Sequence, residues 1–352
     1  RNGTHFGFGK IGRTIDAMGT TNIAYDLKGD PKWQGLKIGG TSPVVQYDQN
    51  YHYDVEGRLK YIKYPSGMFV YYSHDAEGRV QEIDYKMGSP DPVTGLPATE
   101  KPLLYNAQYK PFGGLSWVRY ADGIGRWINY DKAYQAIRIK DSGTSGVLSD
   151  LEYDWTARGN LLSVTDNVNS GANQNFGYAI NEYLDEADGP WGDIDYTYDS
   201  VGNRISRLLM ASGTTNDSYT YPSSSNRLQS ISGGQARSFS YDNAGNVTTD
   251  IRDGVAYGYT YNAANRMASV TVDGVLKAEY EYNAAGQQVI RHVDGQTFHS
   301  VFDLKGNRIA EYSYDATIGL STLLREYIWM DGLPVGVVEG GWTESEVQLR
   351  WV

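Results

Sequence analysis

Alternation is the clearest order along this chain. In Ala278-Glu279-Tyr280-Glu281-Tyr282 and Gly258-Tyr259-Thr260-Tyr261 the tyrosines recur at every second residue, which an extended strand places on one face. Such stretches are bounded by Asp253-Gly254, Asp273-Gly274, Asp294-Gly295, Gly233-Gly234 and Pro65-Ser66-Gly67. Short glycine-bearing turns between alternating runs predict β-hairpins. A second turn, Asp-x-x-Gly, falls between them. Its carboxylate can accept hydrogen bonds from backbone N–H groups two residues on. Its glycine suits the left-handed residue that follows a type I turn and makes a bulge.

The two turns recur as one unit. Tyr198-Asp199-Ser200-Val201-Gly202-Asn203-Arg204 is followed by Tyr221-Pro222 leading into Ser225-Asn226-Arg227-Leu228. Next come Tyr241-Asp242-Asn243-Ala244-Gly245-Asn246-Val247 and Tyr261-Asn262-Ala263-Ala264-Asn265-Arg266-Met267. Tyr282-Asn283-Ala284-Ala285-Gly286-Gln287 and Phe302-Asp303-Leu304-Lys305-Gly306-Asn307-Arg308 complete the series, with steps of 23, 20, 20, 21 and 20 residues between leading aromatics. Earlier copies are Tyr53-Asp54-Val55-Glu56-Gly57-Arg58, His74-Asp75-Ala76-Glu77-Gly78-Arg79 and Tyr153-Asp154-Trp155-Thr156-Ala157-Arg158-Gly159-Asn160; Tyr25-Asp26-Leu27-Lys28-Gly29 is a further match. The expected turn formers are Asp54 with Gly57, Asp75 with Gly78, Asp199 with Gly202, Asp242 with Gly245, and Asp303 with Gly306. Each unit reads as one antiparallel hairpin with strands of about seven or eight residues. A lone hairpin cannot bury its apolar face, so neighbours must pair edge to edge. The fold class expected is all-β: hairpin repeats forming one continuing antiparallel sheet.

Composition agrees with this. The 352 residues include 30 tyrosines against 8 phenylalanines, and 41 glycines; strands favour aromatics and tight turns favour glycine. Cysteine is absent, which removes disulfides and thiolate metal sites. A net charge of −11 argues against nucleic acid, whose phosphates need a basic stripe. The most apolar segments, Ser321–Trp329 and Leu333–Val338, are too short to span a bilayer. Arg1–Lys10 lacks an apolar core segment, so no signal peptide is expected there, and the abrupt start and finish read as a piece of a larger protein.

These units resemble the YD-repeat/RHS family: the cores of bacterial polymorphic toxins, the B–C cocoon of insecticidal toxin complexes, and the teneurin shell. The resemblance covers roughly Tyr47 to Val338, and Arg325-Glu326-Tyr327-Ile328-Trp329-Met330-Asp331-Gly332-Leu333-Pro334-Val335 is similar to the stretch that closes many bacterial RHS cores. It implies a curved strip of sheet, a β-spiral shell or part of one, that encloses a toxic or unfolded polypeptide or an adjoining toxin domain, in a secreted or cell-surface bacterial protein. On this reading residues 1–46 are an atypical cap, 47–338 the array, and 339–352 a tail toward the plug of such cores. In such cores an Asp-His-Leu-Gly plug and a self-cleaving Asp-Pro segment follow that closing stretch; neither is found between Val335 and Val352.

Two stretches depart from the repeat. Residues 86–107, with Ser89-Pro90-Asp91-Pro92 and Gly95-Leu96-Pro97, and residues 165–193, longer and acidic, are expected to be loop insertions; Tyr178–Leu184 is a candidate strand or helical turn within the second. Trp117, Trp127, Trp155 and Trp191 cluster around them and could form a stacking platform for sugar rings, or simply pack across strands. The histidines His5, His52, His74, His292 and His299 show no metal-ligand spacing, with His74 standing where the repeat tyrosine belongs. No metal or cofactor is expected. Tyrosine and histidine could act as base and acid in a polysaccharide lyase, but thirty tyrosines single out no catalytic one. The leading expectation is an encapsulating scaffold without chemistry of its own. Its rivals are a carbohydrate-active module (lyase or glycan binder) and a cell-surface adhesion module.

Overall fold

The computed structural model describes residues 9–87, 99–339 and 348–350. Aspartate and glycine decide where the chain turns. The Asp54 N–H donates to the Arg58 carbonyl and the Gly57 N–H to the Asp54 carbonyl, at 2.9 and 3.2 Å. The Asp54 carboxylate accepts from the Arg58 N–H at 2.8 Å, and Gly57 sits at φ +83°. The result is a three-residue loop, a type I turn closed by a left-handed glycine, with a register shift at its base. Asp75 with Gly78, Asp199 with Gly202, Asp242 with Gly245, and Asp303 with Gly306 build the same loop. So do Asp26 with Gly29 and, with no glycine, Asp131, whose left-handed residue is Tyr134 at φ +62°. At the other end of the hairpins, both residues of Asp253-Gly254, Asp273-Gly274 and Asp294-Gly295 have positive φ. That is the type I′ geometry, whose twist matches the strands.

Four expectations change in detail. Pro65-Ser66-Gly67 builds the bulged loop, with Tyr64 N–H on the Met68 carbonyl at 2.7 Å, not the type I′ turn. In the copy at 153–160 the register moves by two: Thr156, not Asp154, takes the turn, because its hydroxyl accepts the Asn160 N–H at 3.0 Å. The stretch 165–193, expected as a loop, carries the paired strands Gln174–Tyr178 and Leu184–Gly189, and Tyr178–Leu184 spans the turn between them. That turn is the same loop built from Ala179 to Glu182, with Glu182 left-handed at φ +66°; lacking both Asp and Gly, it is invisible to the motif. Of the other stretch, residues 88–98 with their prolines lie outside the described residues, and Lys101–Tyr109 is a strand.

The strand pairs are antiparallel and, in each unit, follow chain order. The chain forms two compact units, residues 1–107 with 278–352, and residues 108–277. The first unit holds an N-terminal ladder from Arg13–Asp16 to Lys101–Tyr109. It also holds a C-terminal ladder from Gln288–Val293 to Gln348–Arg350. Residues 13–38 supply the first strands of the N-terminal ladder. Tyr64, Met68, Val70, Ile83 and Leu104 from one ladder, and Val301, Ile309, Ala310 and Ile328 from the other, are fully buried. The second unit is a single ladder from Leu115–Tyr120 to Met267–Val272.

The second unit has little core. Among its described residues only Leu115, Val118, Tyr120, Val164, Ala187 and Ile231 are buried apolar side chains, so cross-strand pairs must carry its stability. Arginines lie over rings, Arg204 on Tyr196 at 4.2 Å and Arg252 on Tyr257 at 4.5 Å. Asp150, Asp217 and Asp250 are buried beneath arginine partners. Hydrogen bonds from Arg138 hold the Asp150 carboxyl below its ordinary range. Burial pushes Asp250 upward, but Arg237 and Arg252 prevail and hold it low as well.

The turn carboxylate is testable where it is buried. Asp303 accepts from the Lys305 and Asn307 N–H groups and the Asn307 amide at 2.9, 2.8 and 3.0 Å. Asp303→Ala is expected to cost about 2 kcal/mol in urea unfolding, since it orphans these donors. Asp303→Asn should recover most of that, because Asn262 and Asn283 do the same work in their own loops.

Candidate functional site

The leading aromatic of the unit has a function the repeat pattern does not announce. Tyr130, Tyr178, Tyr198, Tyr221, Tyr241 and Tyr261 donate their hydroxyls to the carbonyls of Leu115, Leu161, Leu184, Arg204, Leu228 and Val247, at 2.6 to 3.0 Å. Each accepting carbonyl lies just past the bulged or equivalent loop of the preceding hairpin. Every such tyrosine therefore ties its own loop to the one before it. The same need explains the choice of tyrosine over phenylalanine: an edge-on ring reaches the neighbour, and only a donor can satisfy its carbonyl. Asparagine and arginine add links between loop tips, Asn203 to Asn226, Asn246 to Asn265, and Arg227 to the Asp242 carbonyl.

In the first unit, residues about 250 positions apart meet along a seam between the two ladders. The Tyr47 hydroxyl lies 2.9 Å from His299 Nδ1 and 2.8 Å from Ser321 Oγ, and the His299 ring stacks on Tyr314. Gln34 and Gln49 both donate to the Phe302 carbonyl. Tyr64 and Tyr72 donate to the carbonyls of Tyr327 and Trp329. Ser66, in the loop that closes without aspartate, donates its hydroxyl to Glu326 at 2.7 Å. Glu326 has no exposed surface, and burial pushes its carboxyl up to about 7 against the smaller lowering by Ser66. Burial, with a smaller contribution from His292, pushes His299 down to about 4.

A cleft of about 270 Å³ in the same unit is lined by Tyr51, Arg58, Tyr72, His74, Asp303 and Lys305, among others. It gathers the residue types a lyase would use. Burial nevertheless pushes the Tyr51 and Tyr72 hydroxyls well above their ordinary range, opposite to what a tyrosine base needs. Burial, then Arg58, lowers His74. As placed, the tyrosines are hydrogen-bond donors. Among the described residues no group of three or more His, Asp or Glu is placed to hold a metal. No described helix is long and apolar enough to cross a membrane.

Of the four tryptophans singled out, the fold brings two together. Trp117 and Trp127 stand directly opposite each other on the strands Leu115–Tyr120 and Gly125–Tyr130, with ring centroids 4.2 Å apart. Trp155 instead occupies the leading-aromatic position, its indole N–H donating to the Ala136 carbonyl at 2.9 Å as the tyrosines do. Trp191 donates to the Ala187 carbonyl four residues back.

No family model matches the sequence, and no curated protein matches it. The fold does have counterparts among solved structures. The chain is similar to the crystal structure of TcdB2-TccC3 without its hypervariable C-terminal region, at 14% identity and a TM-score of 0.56, and to that of TcdB2-TccC3-TEV, at 15% and 0.57. It is also similar to the Tc holotoxin pore of Photorhabdus luminescens carrying a TccC3 mutation, at 14% and 0.51. Each likeness covers 91% of this chain and 20% of the other. This chain therefore spans about a fifth of the length of those proteins, and over nearly all of its own length it shares their all-β, RHS-like fold.

Proposed function

We propose that this chain is an encapsulating scaffold module of a bacterial RHS/YD-repeat protein, secreted or displayed at the cell surface, which wraps a toxin or another polypeptide. The observation that carries this reading is the ladder architecture: within each unit hairpin follows hairpin in chain order, with successive loops of the second unit tied together, in a fold shared with toxin-complex structures over 91% of the chain. The sequence resemblance to cocoon-forming repeats supports the same reading. Within it residues 1–46 serve as the cap, 47–338 as the wrapping array, and 339–352 as the lead toward a plug. The net charge of −11 favours a basic cargo.

Limited proteolysis of the full natural protein tests this. A polypeptide enclosed by the array is expected to survive protease concentrations that digest the same polypeptide expressed alone, and to become sensitive once urea opens the array. Equal digestion rates in the two settings would refute encapsulation.

A further inference from the structure

We propose that the Trp117–Trp127 pair and the cleft beside it bind a neutral oligosaccharide of pyranose units, independently of whether the array encloses cargo. The register sets out the site. Trp117 faces Trp127, Trp127 faces Lys140, and Lys140 faces Asp150, so four neighbouring strands place two indoles, an ammonium and a carboxylate in one row on one side of the sheet. Gly125 makes room for the rings: a Cβ there would stand 2.3 Å from Trp117 Cη2 and 2.9 Å from Trp127 Cη2. Both rings thus lie over the glycine backbone, and Trp127 keeps 40% of its surface open.

Next to the rings is a cleft of about 350 Å³ lined by Trp127, Asn129, Arg138, Lys140 and Ser142, within the range of small-molecule sites. Its polar groups are set in advance. Arg138 is gripped by Asp150 through two 2.7 Å hydrogen bonds, and its remaining nitrogen is paired with Glu152 at 3.2 Å. Lys140 touches the same Asp150 only at 3.6 Å, which leaves its ammonium donors available. The two cations are matched by two carboxylates, so the site carries no net charge to hold a polyanion. What remains is the open face of the Trp127 indole, inclined 46° to the Trp117 ring that backs it, rimmed by amide, hydroxyl and ammonium groups. A pyranose offers the complement, a C–H face and a rim of hydroxyls.

The test is titration of the whole protein with cellotetraose, chitotetraose and mannotetraose, followed by tryptophan fluorescence and calorimetry. Polygalacturonate and an arginine-rich peptide serve as rival ligands. Saturable binding of at least one neutral tetrasaccharide is expected. Trp127→Ala should weaken it at least tenfold and Lys140→Ala several-fold, with Trp191→Phe unchanged. Circular dichroism reports whether each variant folds; if Trp127→Ala does not, the Lys140→Ala and Ser142→Ala pair carries the same test. The proposal is overturned if no neutral sugar saturates, if binding survives in folded Trp127→Ala, or if only the polyanion or the peptide binds.

Discussion

Glu326→Gln is expected to stabilise the protein by about 3 kcal/mol at pH 8 while changing little near pH 4.5. Glu326 is buried with one hydroxyl partner, Ser66, and its carboxyl titrates at about 7 instead of the ordinary 4.5. An acid whose folded value is raised holds its proton more tightly in the fold than in the unfolded chain. Its contribution is therefore fully present below about 4.5 and is lost as pH rises through about 7. Glutamine keeps the shape and the hydrogen bond to Ser66 and never ionises. Urea unfolding at pH 4.5, 6, 7 and 8 measures this; a gain that failed to grow with pH would dismiss a buried, titrating Glu326.

His299 is expected to act with the opposite sign in the same seam. Its ring titrates at about 4, below the ordinary 6.5, so the fold disfavours the charged form. Stability from this group is complete above about 6.5 and falls by about 3 kcal/mol as pH drops to 4. The two slopes oppose each other between about pH 4.5 and 6.5, so wild-type stability should change less with pH there than that of either single variant. Each variant exposes the slope its partner conceals: Glu326→Gln should lose stability on acidification, and His299→Gln on alkalinisation. His299→Gln also gives up the stacking on Tyr314 at every pH, which lowers its whole curve without changing the slope. Unfolding of the single and double variants across this range decides it, and a steep wild-type profile would contradict the compensation.

The repeat was legible because its turns obey local rules. Asp-x-x-Gly and Asp-Gly carry their backbone geometry in their side chains, so the loops at Asp54, Asp199 and Asp303 could be placed from residue types alone. Loops that meet the same geometry by other means could not. Tyr134 and Glu182 hold left-handed positions that glycine usually takes, and Thr156 substitutes a hydroxyl for a carboxylate. The tyrosine ties were hidden for a different reason. They join a side chain to a backbone carbonyl in the preceding hairpin, and periodicity records the ring but not its partner. The Trp117–Trp127 pair needed strand register, which sequence spacing does not supply, and so Trp155 and Trp191 looked equivalent to them. The seam was least visible of all, since Ser66 and Glu326 are ordinary residues until the fold sets them 2.7 Å apart.

That seam alters how a repeat protein of this kind should come apart. Linear arrays usually fray from their terminal units, because an end repeat has one neighbour instead of two. Here the N-terminal and C-terminal ladders cover each other's apolar faces, so neither can peel away without exposing the other's. The weakest place for opening is thus moved from the ends to the thinly buried hairpins between residues 108 and 277, and hydrogen exchange should be fastest there.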